Sequence, residues 1–396
     1  MSRMQIQSDA EIIEAVSAAR ANGSTLEIVG SGTKRGYGRH CAADAVLDIS
    51  ALTGIVSYEP DELVITAKTG TLISEIEDAL ARRGQRLGFD PADWGPLFGK
   101  PRCAATVGGV LSADACGSAR VRFGAARDHL LGYRAINGFA ESYKAGGRVV
   151  KNVTGFDLPK LLCGAMGTLG VLTEVTLRLV PRPPHNVTLI ARDIAPDDGF
   201  ALLRRAWTSA FGPTGLAYVP SSVALSFTGF GAVGEGAALM RLEGAPVPLA
   251  EKIAGLRALD PGALLEEIDG ERTFREIGNG HALVGMDADV WRVVLPPSAS
   301  ARFVAEQQPD IWVGDWAGGL LWIGSAPDDE AAAQKIRSLA SACDGHAILL
   351  RASETMRSRI PPFRPESPTC TAVSKSVKAA FDPFGIFNPS RMYEGI

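Results

Sequence analysis

Three glycine-bearing segments hold the most specific chemical pattern in this chain: Val29-Gly30-Ser31-Gly32-Thr33-Lys34, Ala105-Thr106-Val107-Gly108-Gly109 and Gly167-Thr168-Leu169-Gly170-Val171. Glycine lets a backbone take positive φ and come within contact distance of a phosphate, and consecutive N–H groups in such a turn form an anion-binding concavity. One such loop reads equally well as a tight turn. Three of them beside apolar, strand-like runs point to a buried ligand that contains a pyrophosphate.

The spacing narrows the choice of ligand. A Rossmann fingerprint needs G-x-G-x-x-G between a strand and a helix, with an acidic residue about twenty positions on. Here Gly30 and Gly32 are followed by Gly36, out of place for that motif, and no P-loop spacing occurs. Cys41, Cys103, Cys116, Cys163, Cys343 and Cys370 contain no C-x-x-C pair, so no iron–sulfur cluster or structural zinc is expected, and buried reduced thiols are. The five histidines, His40, His129, His185, His281 and His346, include no pair at metal-ligand spacing. His346 beside an apolar run reads as a core or edge residue, with a catalytic base as the alternative. Arg292 and Arg351 are the candidates for clamping a carboxylate through a bidentate guanidinium, with a surface or salt-bridged arginine as the alternative for each.

Such loops need rigid elements to hold them. Ser8-Asp9-Ala10-Glu11 is a capping box, and Ile12, Ile13, Val16 and Ala19 follow at helical spacing until Asn22-Gly23 stops the helix. Strand-like runs follow at Leu26–Val29, Ala45–Ile49 and Leu63–Ala67. Leu72, Ile73, Ile76, Ala79 and Leu80 then line one helical face up to Gly84. From Val171 to Leu179 apolar residues alternate with Glu174, Thr176 and Arg178, a strand with one wetter face, and Pro181-Arg182-Pro183-Pro184 breaks the chain. Beyond it, strand-like pieces such as Val290–Leu295 and Ala347–Leu350 alternate with Ala-rich helical stretches, which suits an α+β domain with a mainly antiparallel sheet. The tail Phe381-Asp382-Pro383-Phe384-Gly385-Ile386-Phe387-Asn388-Pro389 is too apolar for a free end and is expected to pack back on the first domain.

At 396 residues, with 46% hydrophobic and 21% charged residues, the chain is a globular protein of more than one domain. A net charge of −4 carries no nucleic-acid footprint. The first residues form no apolar leader, and no run of about eighteen apolar residues occurs, so a cytoplasmic protein is expected.

As a set, these segments resemble the flavin-binding domain of the vanillyl-alcohol oxidase and p-cresol methylhydroxylase (PCMH) superfamily. The likeness runs through Gly30–Lys34, Ala67-Lys68-Thr69-Gly70-Thr71-Leu72, Thr106–Val110, Arg122-Phe123-Gly124-Ala125-Ala126-Arg127-Asp128-His129, Gly167–Glu174 and the Phe381–Pro389 tail. The fold this implies is α+β. It comprises a two-lobed PCMH-type domain over 1–182, with lobes of about 1–55 and 56–182, an α+β cap over 183–355 and a returning segment over 356–396. The cofactor it implies is FAD. Val29 and Gly30 to Lys34 would wrap its pyrophosphate with backbone amides, and Thr106, Val107, Gly108 and Gly109 would approach it from the second lobe. Gly117 and Gly124 would border the flavin, and Gly170 and Val171 the adenine edge. The family's frequent covalent histidine is replaced by Thr33 or Lys34, which implies noncovalent FAD. Arg148 and Lys151 are candidates for positive charge near the flavin.

Within the superfamily, Val153-Thr154-Gly155-Phe156-Asp157-Leu158 and the Phe-Asn-Pro tail resemble the glycolate oxidase and D-lactate dehydrogenase branch. Catalytic members of that branch carry a His-x-Gly-Asp-Gly-Asn-x-His type segment for a metal, and this sequence has none. That departure resembles the smaller, flavin-binding type of glycolate oxidase subunit. The resemblance implies an auxiliary role beside a larger catalytic FAD subunit and an iron–sulfur subunit, a small 2-hydroxy acid as substrate of the complex, no resident metal, and membrane association only through partners. A self-sufficient FAD dehydrogenase using Arg292, Arg351 and His346 on a donor such as D-lactate is one alternative. An assembly module without a redox role is another.

Overall fold

The computed structural model describes residues 2–147, 156–260, 262 and 265–396, which divide into two compact units. The first comprises 1–115, 125–182 and 361–396, and the second 116–124 and 183–360. The chain passes between them at Arg182 and Pro183, inside the proline cluster. Arg148, Lys151 and the Val153-Thr154-Gly155 phrase lie outside the described residues.

The first unit holds two sheets. In the smaller, Ala45–Asp48 lies between Ser2–Gln5 and Leu26–Val29, parallel to both. The helix Asp9–Asn22 buries Ile12, Val16 and Ala19 in a core shared with Leu26 and Leu47. The Ser8 side chain accepts the Glu11 N–H at 3.3 Å, but the Glu11 carboxylate accepts the N–H of Gln7 rather than that of Ser8, so the capping box closes one residue early. Gly23, at φ 65°, ends the helix in the left-handed conformation.

The larger sheet runs Ile55–Glu59, Val64–Lys68, Val171–Pro181, Leu130–Ile136, Ser142–Gly146, all antiparallel. The long strand Val171–Pro181 is central. Its polar side is covered more fully than the alternation suggests: Thr176 is buried and exchanges a 2.9 Å hydroxyl bond with Thr66, and Glu174 takes the Lys68 ammonium at 2.6 Å. The tail extends the small sheet at Leu26, whose N–H donates to Ile386 and whose carbonyl accepts from Asn388. Ile386 and Phe387 complete the core there.

The second unit is one antiparallel sheet of eight strands, ordered Leu265–Ile268, His185–Arg192, Gly236–Gly244, Gly215–Pro220, Ile311–Asp315, Leu320–Ser325, Asp289–Val294, His346–Arg351. The helices Pro196–Thr208, Pro246–Leu259, Ser300–Gln307 and Glu330–Ala342 bury Leu202, Leu203, Leu249, Leu256, Phe303 and Ile336 against one face. Strand periodicity puts Arg241, Arg292, Asp315 and Trp322 on the opposite face, also buried. Four cysteines are buried, but Cys103 and Cys370 are exposed, which corrects the expectation of six buried thiols. Among the described residues no helix is long and apolar enough to cross a membrane.

Candidate cofactor site

A cleft of roughly 800 Å³, part of it open to solvent, lies in the first unit where the two sheets meet the three glycine loops. Val29 to Lys34, Thr106, Gly108, Gly109 and Gly170 line it together. The first loop leaves the strand Leu26–Val29 and turns at Gly32, whose φ of +74° suits glycine. It runs so close to the second loop that a side chain at Gly30 would come within 2.8 Å of Thr106 Oγ1. That hydroxyl caps the short helix Val107–Ser112 through the Gly109 N–H.

The second loop is pinned from behind. Thr69 receives a hydrogen bond from the Gly108 N–H at 2.9 Å, and its own N–H and hydroxyl go to the carbonyls of Thr173 and Leu172 in the central strand. A Cβ at Gly108 would sit 2.7 Å from Thr69 Cβ, so glycine is required by close packing.

Other expected residues lie elsewhere. Val107 and Val171 are fully buried core residues and do not line the cleft. Gly117 and Gly124 belong to the second unit, where the Gly117 carbonyl accepts Trp316 Nε1 at 3.1 Å. Arg292 is in that unit too, its guanidinium 5.4 Å from the Trp316 ring and 5.3 Å from the Trp322 ring. Arg351 donates to the carbonyls of Leu283, Met286 and Ala288, so its guanidinium is committed to backbone. His346 starts an edge strand and is half-buried.

The structure adds cleft residues that local patterns did not flag. Asn388 accepts the Ile28 N–H at 2.7 Å and donates to the Met166 carbonyl at 2.6 Å, tying the first loop's strand to the third loop. Arg391 donates to the carbonyls of Lys34 and Arg35 and pairs with buried Glu27 at 3.7 Å. Glu27 also holds Arg35. Polar side chains in an otherwise apolar tail were the available signal. Lys34 is the most telling residue: its Nζ is buried without a hydrogen-bond partner, and burial lowers its pKa to about 8 against the pull of Asp93. An orphaned buried amine in a glycine-lined cleft fits a phosphate-bearing ligand.

Residues 3–144, most of which belong to the first unit, match the FAD binding domain family. The fold agrees: p-cresol methylhydroxylase superimposes with a TM-score of 0.74 at 13% identity, covering 99% of this chain and 88% of that one. Glycolate oxidase subunit GlcE of Escherichia coli is 31% identical over 382 residues, 96% of each chain, and this chain belongs to that family. Glycolate oxidase subunit GlcD of Bacillus subtilis is 30% identical over 164 residues, 41% of this chain and 33% of that one. The protein is thus a flavin-dependent oxidoreductase whose cofactor is FAD, in a family concerned with hydroxy acid oxidation.

Proposed function

We propose that this chain is the auxiliary FAD-binding subunit of a complex that oxidises glycolate to glyoxylate, working beside a larger catalytic flavoprotein and an iron–sulfur subunit. The observation that carries this reading is the extent of similarity. The likeness to GlcE spans both units, whereas that to GlcD covers 41% of the chain. The sequence also lacks the His-x-Gly-Asp-Gly-Asn-x-His type segment associated with metal-assisted hydroxy-acid catalysis.

When bound, FAD can take up an electron pair and release electrons singly, which suits a relay between a two-electron donor and one-electron clusters. The chain's own residues bind and orient. Val29, Gly30, Ser31 and Gly32 would offer backbone amides to the diphosphate, with Thr33 and Lys34 closing the turn. Thr106, Gly108 and Gly109 line the same cleft and would hold the diphosphate from the second loop, and Gly170 would hold the adenine portion. The tail residues Asn388 and Arg391 hold the first loop in shape. The complex would lie in the cytoplasm, at the inner face of the membrane through its partners.

A self-sufficient dehydrogenase would need Arg292, Arg351 and His346 to converge on a substrate, and the commitment of Arg351 to three carbonyls weighs against it. The test is anaerobic addition of glycolate to the purified chain, alone and with its partner subunits. The proposal expects no bleaching of flavin absorbance alone and bleaching in the complex. Rapid glycolate-dependent dye reduction by the isolated chain would overturn it.

A further inference from the structure

We propose that the Lys34 side chain is the cationic contact for the cofactor's diphosphate, and that its amine takes up a proton as the dinucleotide binds. This rests on FAD occupying the cleft, and it assigns a proton-linked role to a side chain of the loop. The first observation is geometric. Lys34 lines the cleft, and its Nζ is closed off from solvent with no hydrogen-bond partner among the described residues. A buried amine in that state is costly whether charged or neutral, and an anion removes the cost.

The second observation is the charge around it. The described lining holds Lys34, Arg35 and Arg391 against a single carboxylate, Glu27. Glu27 pairs with both arginines, and no carboxylate of the lining pairs with Lys34. Asp93, outside the lining, attracts the amine at longer range, but its oxygens accept the N–H groups of Gly95 and Cys103. The cleft therefore has an excess of positive charge that a dianionic diphosphate would neutralise.

The protonation step follows from burial. Without a ligand the amine loses its proton near pH 8, because desolvation outweighs the pull of Asp93. A diphosphate favours the ammonium form, so above that pH a proton passes from solvent to Nζ on binding, and affinity falls about tenfold per pH unit. Asp93 is the charged group that acts on Lys34, Glu27, Arg35, Tyr37 and Arg391 share the cleft lining with it, and Cys41 lies near Glu27, Arg35 and Arg391. Burial pushes the Cys41 thiol up to about 11, beyond the window of interest.

The experiment titrates flavin-stripped protein with FAD, read by quenching of flavin fluorescence, at about pH 7 and about pH 9. Calorimetry at the higher pH in two buffers of different ionisation enthalpy counts the protons. Wild type should bind roughly tenfold more weakly at the higher pH and take up close to one proton. Lys34→Met should bind at least about tenfold more weakly near pH 7 with no pH dependence, and Lys34→Arg should bind tightly at both. ADP, which carries the diphosphate without the flavin, should compete with FAD and lose affinity in Lys34→Met by a similar factor. FAD binding in wild type that is flat across this range, with no proton uptake, overturns the proposal without needing any variant to fold. ADP affinity unchanged by Lys34→Met overturns the assignment to the diphosphate. Wild type that binds no FAD near pH 7 defeats the cofactor assignment itself, a separable failure.

Discussion

Replacing Lys378 with methionine should loosen the tail that closes the cofactor cleft. Lys378 is buried, and its ammonium donates to the carbonyls of Thr168 at 2.6 Å and Phe387 at 3.0 Å and to Asp382 Oδ2 at 2.8 Å. The Asp382 side chain is 0% exposed and also accepts the N–H groups of Ile386 and Phe387, which keep it acceptor-only. Methionine matches the lysine stem in length, so the lost contacts are polar. What remains is a buried carboxylate without a counter-ion, a situation that costs about 3–5 kcal/mol. At the upper end of typical urea sensitivities, which suits a chain of this size, that is a fall of roughly 1–2 M in the unfolding midpoint. FAD affinity should drop as well, because Asn388 and Arg391 lie just beyond the loosened turn. Adding Asp382→Asn should recover part of the lost stability, since it removes the buried charge, although the single amide oxygen can accept only one of the two N–H groups now bound by Oδ1 and Oδ2. A loss below about 1 kcal/mol in Lys378→Met, or no recovery in the double variant, would refute the reasoning.

Three further outcomes follow from other sites. Gly108→Ala places a methyl 2.8 Å from the Thr69 carbonyl oxygen, so the second loop must shift; a stability loss of about 1–3 kcal/mol and weaker FAD binding are expected in a fluorescence titration. Arg351→Ala leaves the carbonyls of Leu283, Met286 and Ala288 without their donor, so thermal unfolding should move down by several degrees while the FAD dissociation constant stays unchanged. Burial raises the Asp289 carboxyl to about 6, so its ionised form is disfavoured in the folded chain. The contribution of Asp289 to stability is therefore full below about pH 4 and lost as pH rises through about 6, and Asp289→Asn should flatten that part of the denaturation profile.

Local chemistry made much of this architecture readable. The Ser8 cap, the apolar spacing of Ile12, Val16 and Ala19, and Gly23 delimit a helix using only neighbours in sequence. The antiparallel second sheet was visible in short β-branched runs such as Val290–Val294. The three glycine loops could be read as one site because each carries its own backbone signal, and the cleft brings residues from all three together. Long-range features were less accessible. The strand Ser2–Gln5 is mostly exposed and polar, so it has little apolar pattern, and its pairing with Ala45–Asp48 defines it. Gly117 and Gly124 read as loop glycines of the flavin domain, yet the segment 116–124 belongs to the second unit through contacts such as Trp316 with Gly117. Lys378 and Asp382 look like a surface pair at helical spacing, and only the folded tail shows that both are buried.

The central claim, that the first unit holds FAD noncovalently in the cleft framed by Gly30 to Lys34 and Thr106 to Gly109, is tested most directly by flavin quantitation after acid precipitation. The account predicts a yellow native protein that releases about one FAD per chain into the supernatant and leaves a colourless pellet. A native protein without flavin absorbance after incubation with excess FAD, or a pellet that stays yellow, would contradict it.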